Sequence, residues 1–275
     1  MGGGVGLSPA RRRDLLRQFL RTRRFGREVH WFPRIGSTND HAARLAAAGE
    51  PEGSLVVAET QSRGRGRGRR QWFSPPGLGL YLSLILRPEE PGRAVPLHTL
   101  VAAVALAGVI RRRFRLPATI RWPNDVLIRR RKVGGILAEA RSQSGAVRDL
   151  VVGVGCNLGQ RRIDFPAGLR DRATSLAAEG AGSVEPVRLL AFLLEAWEDR
   201  YDRFRREGAG PLLREFLALS PESDGAWVKV RDGDATRTGR TRGIGGDGAL
   251  LVEEAGGRIR PVRFGEVRAL LEVAD

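Results

Sequence analysis

One stretch of this 275-residue chain cannot fold by packing on itself. Residues 61–72 contain a run of alternating arginine and glycine that ends at a tryptophan, and two apolar, strand-like runs flank them at 55–58 and 78–86. The stretch has no apolar face, and its glycines lose much backbone entropy on ordering. It therefore predicts a loop between two strands that becomes ordered around a ligand. The alternative at this point is a basic loop that stays in solvent, since runs of charge are usually solvated.

The arginines and glycines of this loop limit the kind of ligand. Guanidinium groups offer forked donors to phosphate and carboxylate oxygens, and glycines let backbone N–H groups approach an anion closely. The loop thus predicts a phosphorylated or adenylated small molecule, or a nucleic-acid backbone. The whole chain has 47 Lys and Arg against 31 Asp and Glu, a net charge of +16 that favours acidic partners. Arginine is spread along the entire chain, however, which weakens the nucleic-acid interpretation.

Cysteine content and hydropathy bear on the compartment. The single cysteine, Cys156, excludes an internal disulfide framework and suits a reducing cytoplasm. No apolar run is expected to reach membrane-spanning length, and the N-terminus lacks the apolar region of a secretory signal. These features predict a soluble cytoplasmic protein with no membrane partner.

The first predicted element is a basic amphipathic helix. Ser8 and Pro9 form a helix-start signal, and apolar residues follow among arginines over 15–20. One helix is too short for a three-helix DNA-binding module, so specific DNA binding is not expected.

The chain then alternates between strand and helix patterns. Strands are predicted at 29–32, 55–59, 78–86, 119–128, 133–139 and 150–157, with helices after an N-cap at Ser37 and over 98–114. The last two strands contain Gly134, Gly135, Gly153 and Gly155. Because alternate residues of a strand face the same side, these glycines could leave a slot for a flat, narrow ligand. Bulges or close packing are the alternative explanation for them.

The remaining residues predict two further helices and a small β-unit. Apolar residues at helical spacing over 187–219 are interrupted at 208–211, and 221–225 has the composition of a linker. From residue 226, short alternating strands with Gly-Asp-Gly turns predict a small antiparallel β-barrel. The predicted organisation is an N-terminal basic helical extension (1–27), a main domain (28–222) and a C-terminal domain (223–275).

Three motifs in a fixed order carry a resemblance to a known family. They are Gly-Arg-Gly-Arg at 64–67 with Trp-Phe-Ser-Pro at 72–75, Arg-Trp-Pro-Asn-Asp at 121–125 with Lys-Val-Gly-Gly-Ile-Leu at 132–137, and Gly-Val-Gly-Cys-Asn at 153–157. From residue 31 onward the chain closely resembles biotin protein ligases, of the monofunctional type that lacks an N-terminal DNA-binding domain. The resemblance implies an α+β fold: a mixed sheet with helices on one face, related to class II aminoacyl-tRNA synthetases, plus a small C-terminal SH3-like β-barrel.

The resemblance also implies a two-step reaction. Biotin and ATP, with Mg²⁺, would form biotinyl-5′-adenylate and pyrophosphate, and the acyl group would then pass to one lysine of a biotin carboxyl carrier domain. No tightly bound prosthetic group is expected, and a homodimer stays open. The Arg-Gly loop would close over the adenylate and exclude water.

Site residues follow from the matched motifs. The implied biotin-binding residues are Ser37, Thr38, Asn39, Gln61, Gly64, Arg65, Arg67, Lys132, Gly134, Gly135, Gly153 and Gly155. The implied ATP- or adenylate-binding residues are Arg67, Trp72, Asn124, Asp125, Lys132 and Asn157. Lys132, Arg67 and Asp125 are the expected catalytic residues, because positioned cations reduce the repulsion between a carboxylate and the α-phosphate. Asp125 would hold Mg²⁺ or orient Lys132.

Two departures and two alternatives stand beside this prediction. Gly68 comes one position earlier than the family pattern places it, which puts the closed conformation of 68–70 in question, and Cys156 replaces a bulkier apolar residue. A lipoate or octanoate ligase on the same fold would need a longer aliphatic tunnel. An RNA-binding protein of the Arg-Gly type would show repeated Arg-Gly runs with exposed aromatic residues, whereas this chain has one run between strands.

Overall fold

The apolar patterns assemble into two sheets and a layer of helices. The computed structural model describes residues 7–68, 70–89, 95–143, 146–232, 235–263 and 266–270. The helices are α1 Pro9–Phe19, α2 Thr38–Ala47, α3 Val95–Phe114, α4 Pro186–Glu207 and α5 Ala209–Leu219. The strands are β1 Val29–Phe32, β2 Leu55–Ala58, β3 Gly79–Leu86, β4 Ala118–Arg121, β5 Asp125–Ile128, β6 Arg131–Gln143, β7 Ala146–Asn157, β8 Asp224–Asp232, β9 Ala235–Ile244, β10 Leu250–Glu253, β11 Ile259–Val262 and β12 Glu266–Ala269.

The larger sheet is mixed, as predicted. Its seven strands lie in the order β1-β2-β3-β7-β6-β5-β4. β1 and β2 run parallel, and every other neighbouring pair is antiparallel. The long strands β6 and β7 therefore occupy the middle of the sheet.

Helices cover both faces of this sheet, although the resemblance implied one. Even-numbered residues of β7, such as Val152 and Val154, belong to the main core with α3 and α4. Val151 points the other way and packs with Ala42 and Ala46 of α2. The expectation of helices on one face is wrong for α2, and the strand alternation of a centrally placed sheet explains how both faces find partners. We call the two sides the α3 face and the α2 face.

Helix α3 is the core of the α3 face. Its 20 residues are long and apolar enough to cross a membrane, so the expectation that no such run exists is wrong on length. Most of the helix is buried inside the protein, where it contacts β6, α4 and α5. Its apolar composition is therefore that of a core helix packed on several sides.

The predicted single strand at 119–128 is instead the hairpin β4–β5. Trp122 and Pro123, joined by a cis peptide bond, and Asn124 form its turn. Pro123 has no backbone N–H for a ladder, which disfavours a continuous strand at this position. The hairpin turn brings the Trp-Pro-Asn-Asp motif to the end of the strands.

The N-terminal helix and the helix pair α4–α5 form as predicted. Pro9 starts α1 after Ser8, whose hydroxyl accepts a hydrogen bond from the amide of Arg11 at 3.3 Å. Leu16 is fully buried, and α1 contacts α4 and β1. The break between α4 and α5 is at Gly208, whose φ of 74° is a left-handed value that glycine accommodates.

The C-terminal residues form a separate five-stranded antiparallel sheet, in the order β11-β10-β9-β8-β12. The predicted linker before it is wrong, because Pro221–Ser223 is a 3-10 turn and β8 begins at Asp224. The buried hydroxyl of Ser220 donates to the carbonyl of Ile120 at 2.7 Å. This segment therefore docks the second sheet against β4.

Candidate active site

Three glycines form the floor of a cleft on the α2 face. Gly135 of β6 lies opposite Gly155 of β7, and Gly153 lies two residues before Gly155 on the same face. A Cβ atom at Gly155 would collide with the Trp72 ring, and one at Gly153 would collide with Asn39 Oδ1. Only glycine therefore leaves room for the groups that lie over this floor. The cleft has a volume of about 1120 Å³.

Gly134 does not belong to this floor. A Cβ atom there would lie 2.7 Å from Leu106 Cδ2 of α3, on the opposite face of the sheet. The prediction that Gly134 lines the slot is wrong, because neighbouring strand residues point to opposite sides. Its missing side chain instead lets α3 pack closely against β6.

A β-bulge sets the direction of Lys132. Val126 pairs with Gly134 and Leu127 pairs with Lys132, so β6 carries one extra residue, Val133. In a regular strand Lys132 and Gly134 would share a face. The extra residue instead puts Lys132 on the α2 face, where a Cβ atom at Gly135 would lie 3.0 Å from Lys132 Cε. The bulge thus aims the lysine into the cleft.

Polar side chains close one end of the cleft. Gln61 Oε1 accepts hydrogen bonds from the backbone N–H and the hydroxyl of Thr38, at 2.8 and 3.1 Å. Asn39 Nδ2 donates to Glu139 Oε2 at 2.7 Å, and the buried hydroxyl of Ser83 donates to Asn39 Oδ1 at 2.6 Å. These partners fix the orientation of both side-chain amides. An end of the cleft that recognises polar ligand atoms needs donors and acceptors in fixed positions.

Arg65 ties the Arg-Gly loop to this polar end. Its Nη2 atom lies 2.7 Å from Asp40 Oδ1 of α2 and 2.6 Å from Glu139 Oε2 of β6. Ser37 caps α2, since its hydroxyl accepts from the amide of Asp40 at 3.4 Å. We call the contacts of Arg65 with Asp40 and Glu139 the Arg65 clamp. It holds the loop against two elements that border the cleft.

Lys132 lies at the middle of the cleft, between a carboxylate and an indole. Its Nζ atom is 2.5 Å from Asp125 Oδ1 and 5.2 Å from the centre of the Trp72 ring. The Trp72 Nε1–H is buried and has no hydrogen-bond partner among the described residues. Gly64 lies directly behind, where a Cβ atom would be 2.7 Å from the Trp72 carbonyl oxygen. A buried donor without a partner, beside a cation, is a feature of sites completed by a ligand.

Arginines line the other end of the cleft. The Arg67 guanidinium lies 5.9 Å from the Trp122 ring. Burial lowers the pKa of Arg67, and the nearby Asp125 carboxylate opposes this shift. Trp122 is held in turn, because its Nε1–H donates to the carbonyl of Gly248, in the β9–β10 turn, at 2.9 Å. Further arginines that line the cleft are Arg70, Arg121, Arg130, Arg172 and Arg231.

The two asparagines predicted for the nucleotide side line the cleft, and their amide groups donate to backbone carbonyls. Asn124 Nδ2 donates to the carbonyl of Ile136 at 2.8 Å. Asn157 Nδ2 donates to the carbonyl of Thr174 at 2.9 Å, and its Oδ1 accepts from Gln160 at 3.2 Å. Both side chains therefore hold the segments around Lys132 in this structure.

Comparison with known proteins agrees with this geometry. Residues 31–157 match the model of the biotin/lipoate A/B protein ligase family, and 225–268 match the biotin protein ligase C-terminal domain. The chain is 38% identical over 236 residues to the bifunctional ligase/repressor BirA of Bacillus spizizenii, an alignment that covers 85% of this chain and 72% of BirA. It is 31% identical to the biotin--[acetyl-CoA-carboxylase] ligase of Mycobacterium tuberculosis, across 94% of this chain and 95% of that one. The chain belongs to the biotin protein ligase family.

The fold of this biotin protein ligase family member matches a solved relative. The biotin protein ligase from Aquifex aeolicus, in complex with biotin and ATP, superposes with a TM-score of 0.76 at 27% identity. The superposition covers 89% of this chain and 99% of that one. The mixed sheet and the C-terminal sheet therefore both belong to the family fold.

Sequence motifs of the family led to most of the cleft but missed several residues around it. Glu139 and Ser83 complete the polar end, and the Trp122 ring lies beneath the Arg67 guanidinium. Glu139 follows Gly135 by four residues on the same strand, so strand alternation from Gly135 would place it on the α2 face. No comparable signal marks Ser83, because its strand is apolar throughout the rest of its length.

Proposed function

We propose that this chain is an ATP-dependent biotin protein ligase. In the first step a carboxylate oxygen of biotin attacks the α-phosphorus of ATP, an O–P bond forms, and pyrophosphate leaves. In the second step the neutral ε-amine of a lysine on a biotin carboxyl carrier domain attacks the acyl carbon. An amide bond forms, AMP leaves with the former carboxylate oxygen, and the amine loses a proton.

The observation that carries this proposal is the position of Lys132. It stands over the glycine floor between the polar end and the arginine end of one continuous cleft. A reaction that joins a carboxylate to a triphosphate needs a cation between the two substrates, because like charges otherwise repel. The polar end then suits the biotin head group, and the arginines suit the phosphates.

Lys132 and Arg67 are the proposed catalytic cations. The ammonium of Lys132 is a compact charge on a flexible stem, so it can contact both the biotin carboxylate and the α-phosphate. Asp125 keeps this ammonium in the cleft before the substrates arrive, at an Nζ–Oδ1 distance of 2.5 Å. Trp72 offers its free indole N–H to an acceptor of the bound adenylate.

The Arg65 clamp gives the Arg-Gly loop a closed position. An acyl-adenylate reacts readily with water, so the second step requires that solvent stay out until the carrier lysine arrives. Arg65 holds its part of the loop against α2 and β6 at the biotin end of the cleft. Residues 63–70 of the loop are therefore the proposed lid of the cleft. Arg69 lies outside the described residues.

Magnesium is proposed to enter this site with ATP. Among the described residues no group of three or more His, Cys, Asp or Glu side chains could hold a metal ion by itself. Mg²⁺ is usually held by one or two carboxylates together with substrate phosphates. Asp125 fits that pattern as a single carboxylate at the phosphate end, and the ion would neutralise phosphate charge there.

The proposal extends to finer features of the architecture. We assign the larger sheet to a catalytic domain of the class II aminoacyl-tRNA synthetase type over 28–222, and the C-terminal sheet to an SH3-like barrel over 223–275. Residues 1–27 would be an extension that adds a basic helix. The carrier domain would belong to a biotin-dependent carboxylase in the cytoplasm, where the free, buried Cys156 suits a reducing environment.

Pyrophosphate exchange into ATP tests the activity directly. The purified protein is incubated with labelled pyrophosphate, ATP and Mg²⁺, together with biotin, lipoate, octanoate or no acid. Exchange with biotin alone is the expected result. Exchange with lipoate or octanoate would favour the other ligase type, and no exchange from a folded protein would reject an adenylating enzyme.

A further inference from the structure

A buried carboxylate lies behind Lys132, outside the cleft. The side chain of Glu179 is fully buried and does not line the cleft. Its Oε1 atom accepts from Arg131 Nη2 at 2.6 Å and from the Thr174 hydroxyl at 2.7 Å. Its Oε2 atom accepts from Arg129 Nη1 at 3.0 Å. Three hydrogen bonds, two of them to cations, satisfy most of what a buried carboxylate needs.

Two of these partners, Arg129 and Arg131, lie close to Lys132 in the chain. Arg129 belongs to the β5–β6 turn, with a φ of 47°, and Arg131 is the first residue of β6. Arg131 and Lys132 are neighbours on a strand, so their side chains point in opposite directions. Holding Arg131 against Glu179 therefore turns Lys132 toward the cleft.

The third partner reaches Lys132 through the backbone. The amide of Lys132 donates to the carbonyl of Arg172 at 2.7 Å, and the amide of Thr174 donates to the carbonyl of Lys132 at 2.9 Å. Residues 172–174 thus form a short parallel bridge beside Lys132. Because the Thr174 hydroxyl is bonded to Glu179, one carboxylate fixes both the strand that carries the lysine and the segment that pairs with it.

We infer that Glu179 is a positioning residue for Lys132: it holds the bulged start of β6 and residues 172–174 together so that the Lys132 ammonium stays over the glycine floor. The inference rests on the proposed function. It assigns to Glu179 no contact with substrate. Removing its charge should therefore slow adenylate formation without weakening the recognition of biotin at the polar end.

The chain offers a matched control for a buried carboxylate. Asp149 is 2% exposed at its side chain and pairs with Arg87 and Arg141, at the far end of β6 and β7 from Lys132. In both clusters the arginines keep partial access to solvent. Neutralising either carboxylate therefore removes similar interactions and leaves no fully enclosed cation, so the two variants should lose comparable stability.

The experiment compares Glu179→Gln with Asp149→Asn in biotin-dependent pyrophosphate exchange. We expect Glu179→Gln to lower kcat by about 10- to 100-fold, because a displacement of about 1 Å at a catalytic group can cost that much. The KM for biotin should change less than about twofold, since the groups of the polar end are untouched. Asp149→Asn should keep wild-type kcat per folded molecule, with folding measured by urea denaturation.

Each outcome bears on one claim. A wild-type protein without exchange would reject the proposed function and not the positioning role. With an active wild type, equal kcat in Glu179→Gln and wild type would overturn the inference. An equal loss of kcat in Asp149→Asn would also overturn it, because the effect would then belong to any buried carboxylate of the sheet.

A milder variant covers the case in which Glu179→Gln does not fold. Thr174→Val keeps the shape of the side chain and removes only the hydroxyl that donates to Glu179. We expect the same direction with a smaller loss, about 3- to 10-fold in kcat, because one of the three hydrogen bonds to Glu179 is lost while those from both arginines remain. In addition, amide hydrogen exchange should accelerate at Lys132 and Thr174, whose amides make the paired backbone bonds. Unchanged kcat and unchanged exchange in Thr174→Val would contradict the inference.

Discussion

The two faces of the larger sheet use glycine for opposite purposes. On the α3 face Gly134 lets Leu106 approach, and the space is filled by a core helix. On the α2 face Gly135, Gly153 and Gly155 keep a floor on which no apolar layer is built, and loop groups such as Trp72 lie over it. A glycine in a strand therefore marks a close approach, and the side of the strand decides whether the approaching group is core or ligand site.

This difference predicts which substitutions change chemistry and which change stability. Side chains around the glycine floor of the α2 face line the cleft, so their loss should appear mainly in rates and binding. Residues on the α3 face are packed at core density, where added volume is costly.

The largest expected effect is that of Lys132→Ala on the α2 face. Loss of the ammonium between the two substrates should lower the rate of adenylate formation by about 10²- to 10³-fold. Biotin affinity should stay within a few-fold, because the polar end is untouched. The measurement combines single-turnover adenylate formation with equilibrium biotin binding. Lys229→Ala, at an exposed position of β8, is the control from the same residue type and should behave as wild type.

Gly155→Ala should separate rate from stability on the same face. The new methyl group collides with the Trp72 ring, so the indole must leave the floor. We expect adenylate formation to fall about 10- to 100-fold, because the substrate and Trp72 lose their positions. The free energy of unfolding should change by less than about 1 kcal/mol, since the strand itself faces an open cleft.

Gly134→Ala is the opposite test, on the α3 face. Its methyl group would lie 2.7 Å from Leu106 Cδ2, so α3 or β6 must shift. Overpacking of this kind costs about 1–3 kcal/mol, and urea denaturation should show it. Activity per folded molecule should stay near wild type. A reversed pattern, with Gly134→Ala inactive but stable, would remove the distinction between the faces.

Cys156 gives a smaller effect, and one that depends on pH. It lies in the core of the α3 face, and burial raises the pKa of its thiol to about 12, from an ordinary 9.0. The thiol ionises at lower pH in the unfolded chain than in the folded protein. Its contribution to the free energy of unfolding is therefore fully present below pH 9 and is lost as the pH rises, by up to about 1.4 kcal/mol per pH unit. Burial also raises the pKa of Tyr81, which acts in the same direction.

Urea denaturation of wild type and Cys156→Ala at pH 8 and pH 10 isolates the cysteine, because Tyr81 is present in both. The decrease in unfolding free energy between the two pH values should be larger for wild type. Equal decreases would mean that Cys156 ionises as readily in the folded protein as in the unfolded chain. Activity at pH 8 should survive the substitution, since the thiol lies on the face away from the cleft.

The smallest effect belongs to the Arg65 clamp. Glu139→Gln removes one of two carboxylates that hold Arg65, and both groups of the pair are partly exposed. Such pairs contribute about 0.2–1 kcal/mol, so biotinyl-adenylate should leave about 2- to 5-fold faster. Release is measured by chasing labelled adenylate with excess biotin and ATP. Asp40→Asn should act in the same way, whereas unchanged release in both variants would argue against the clamp as a closing contact.

The sequence predicted most of the fold because its apolar patterns are strong. Helix starts at Ser8 and Ser37 and the break at Gly208 follow from local residue types, whereas the mixed sheet was implied by the family resemblance. It did not predict the hairpin at Pro123, where a strand pattern continues through a residue that cannot join a ladder. It also did not predict that Gly134 and Gly135 would serve different faces, because adjacent glycines look alike until the register is known.

The site shows the same limit. Motifs identified Lys132, Asp125 and the Arg-Gly loop, which the structure brings together in one cleft. They did not identify Glu139 or Glu179. Strand alternation places Glu139 on the α2 face only once Gly135 is known to lie there, and no neighbouring residue in the chain indicates the partners of Glu179. Gly68 comes one position earlier than in the family pattern, and an effect of this shift on loop closure stays a prediction. The φ of Gly68 is 63°, a value that glycine accommodates.

The bulge at Val133 matters because Lys132 and the glycine floor are an odd number of residues apart. Lys132 precedes Gly135 by three residues, an interval that places two side chains of a regular strand on opposite faces. Without the bulge every functional group would remain in the chain, yet the Lys132 ammonium would face α3 instead of the cleft. The pairing register between β5 and β6 is therefore as much a part of the proposed active site as the identity of its residues.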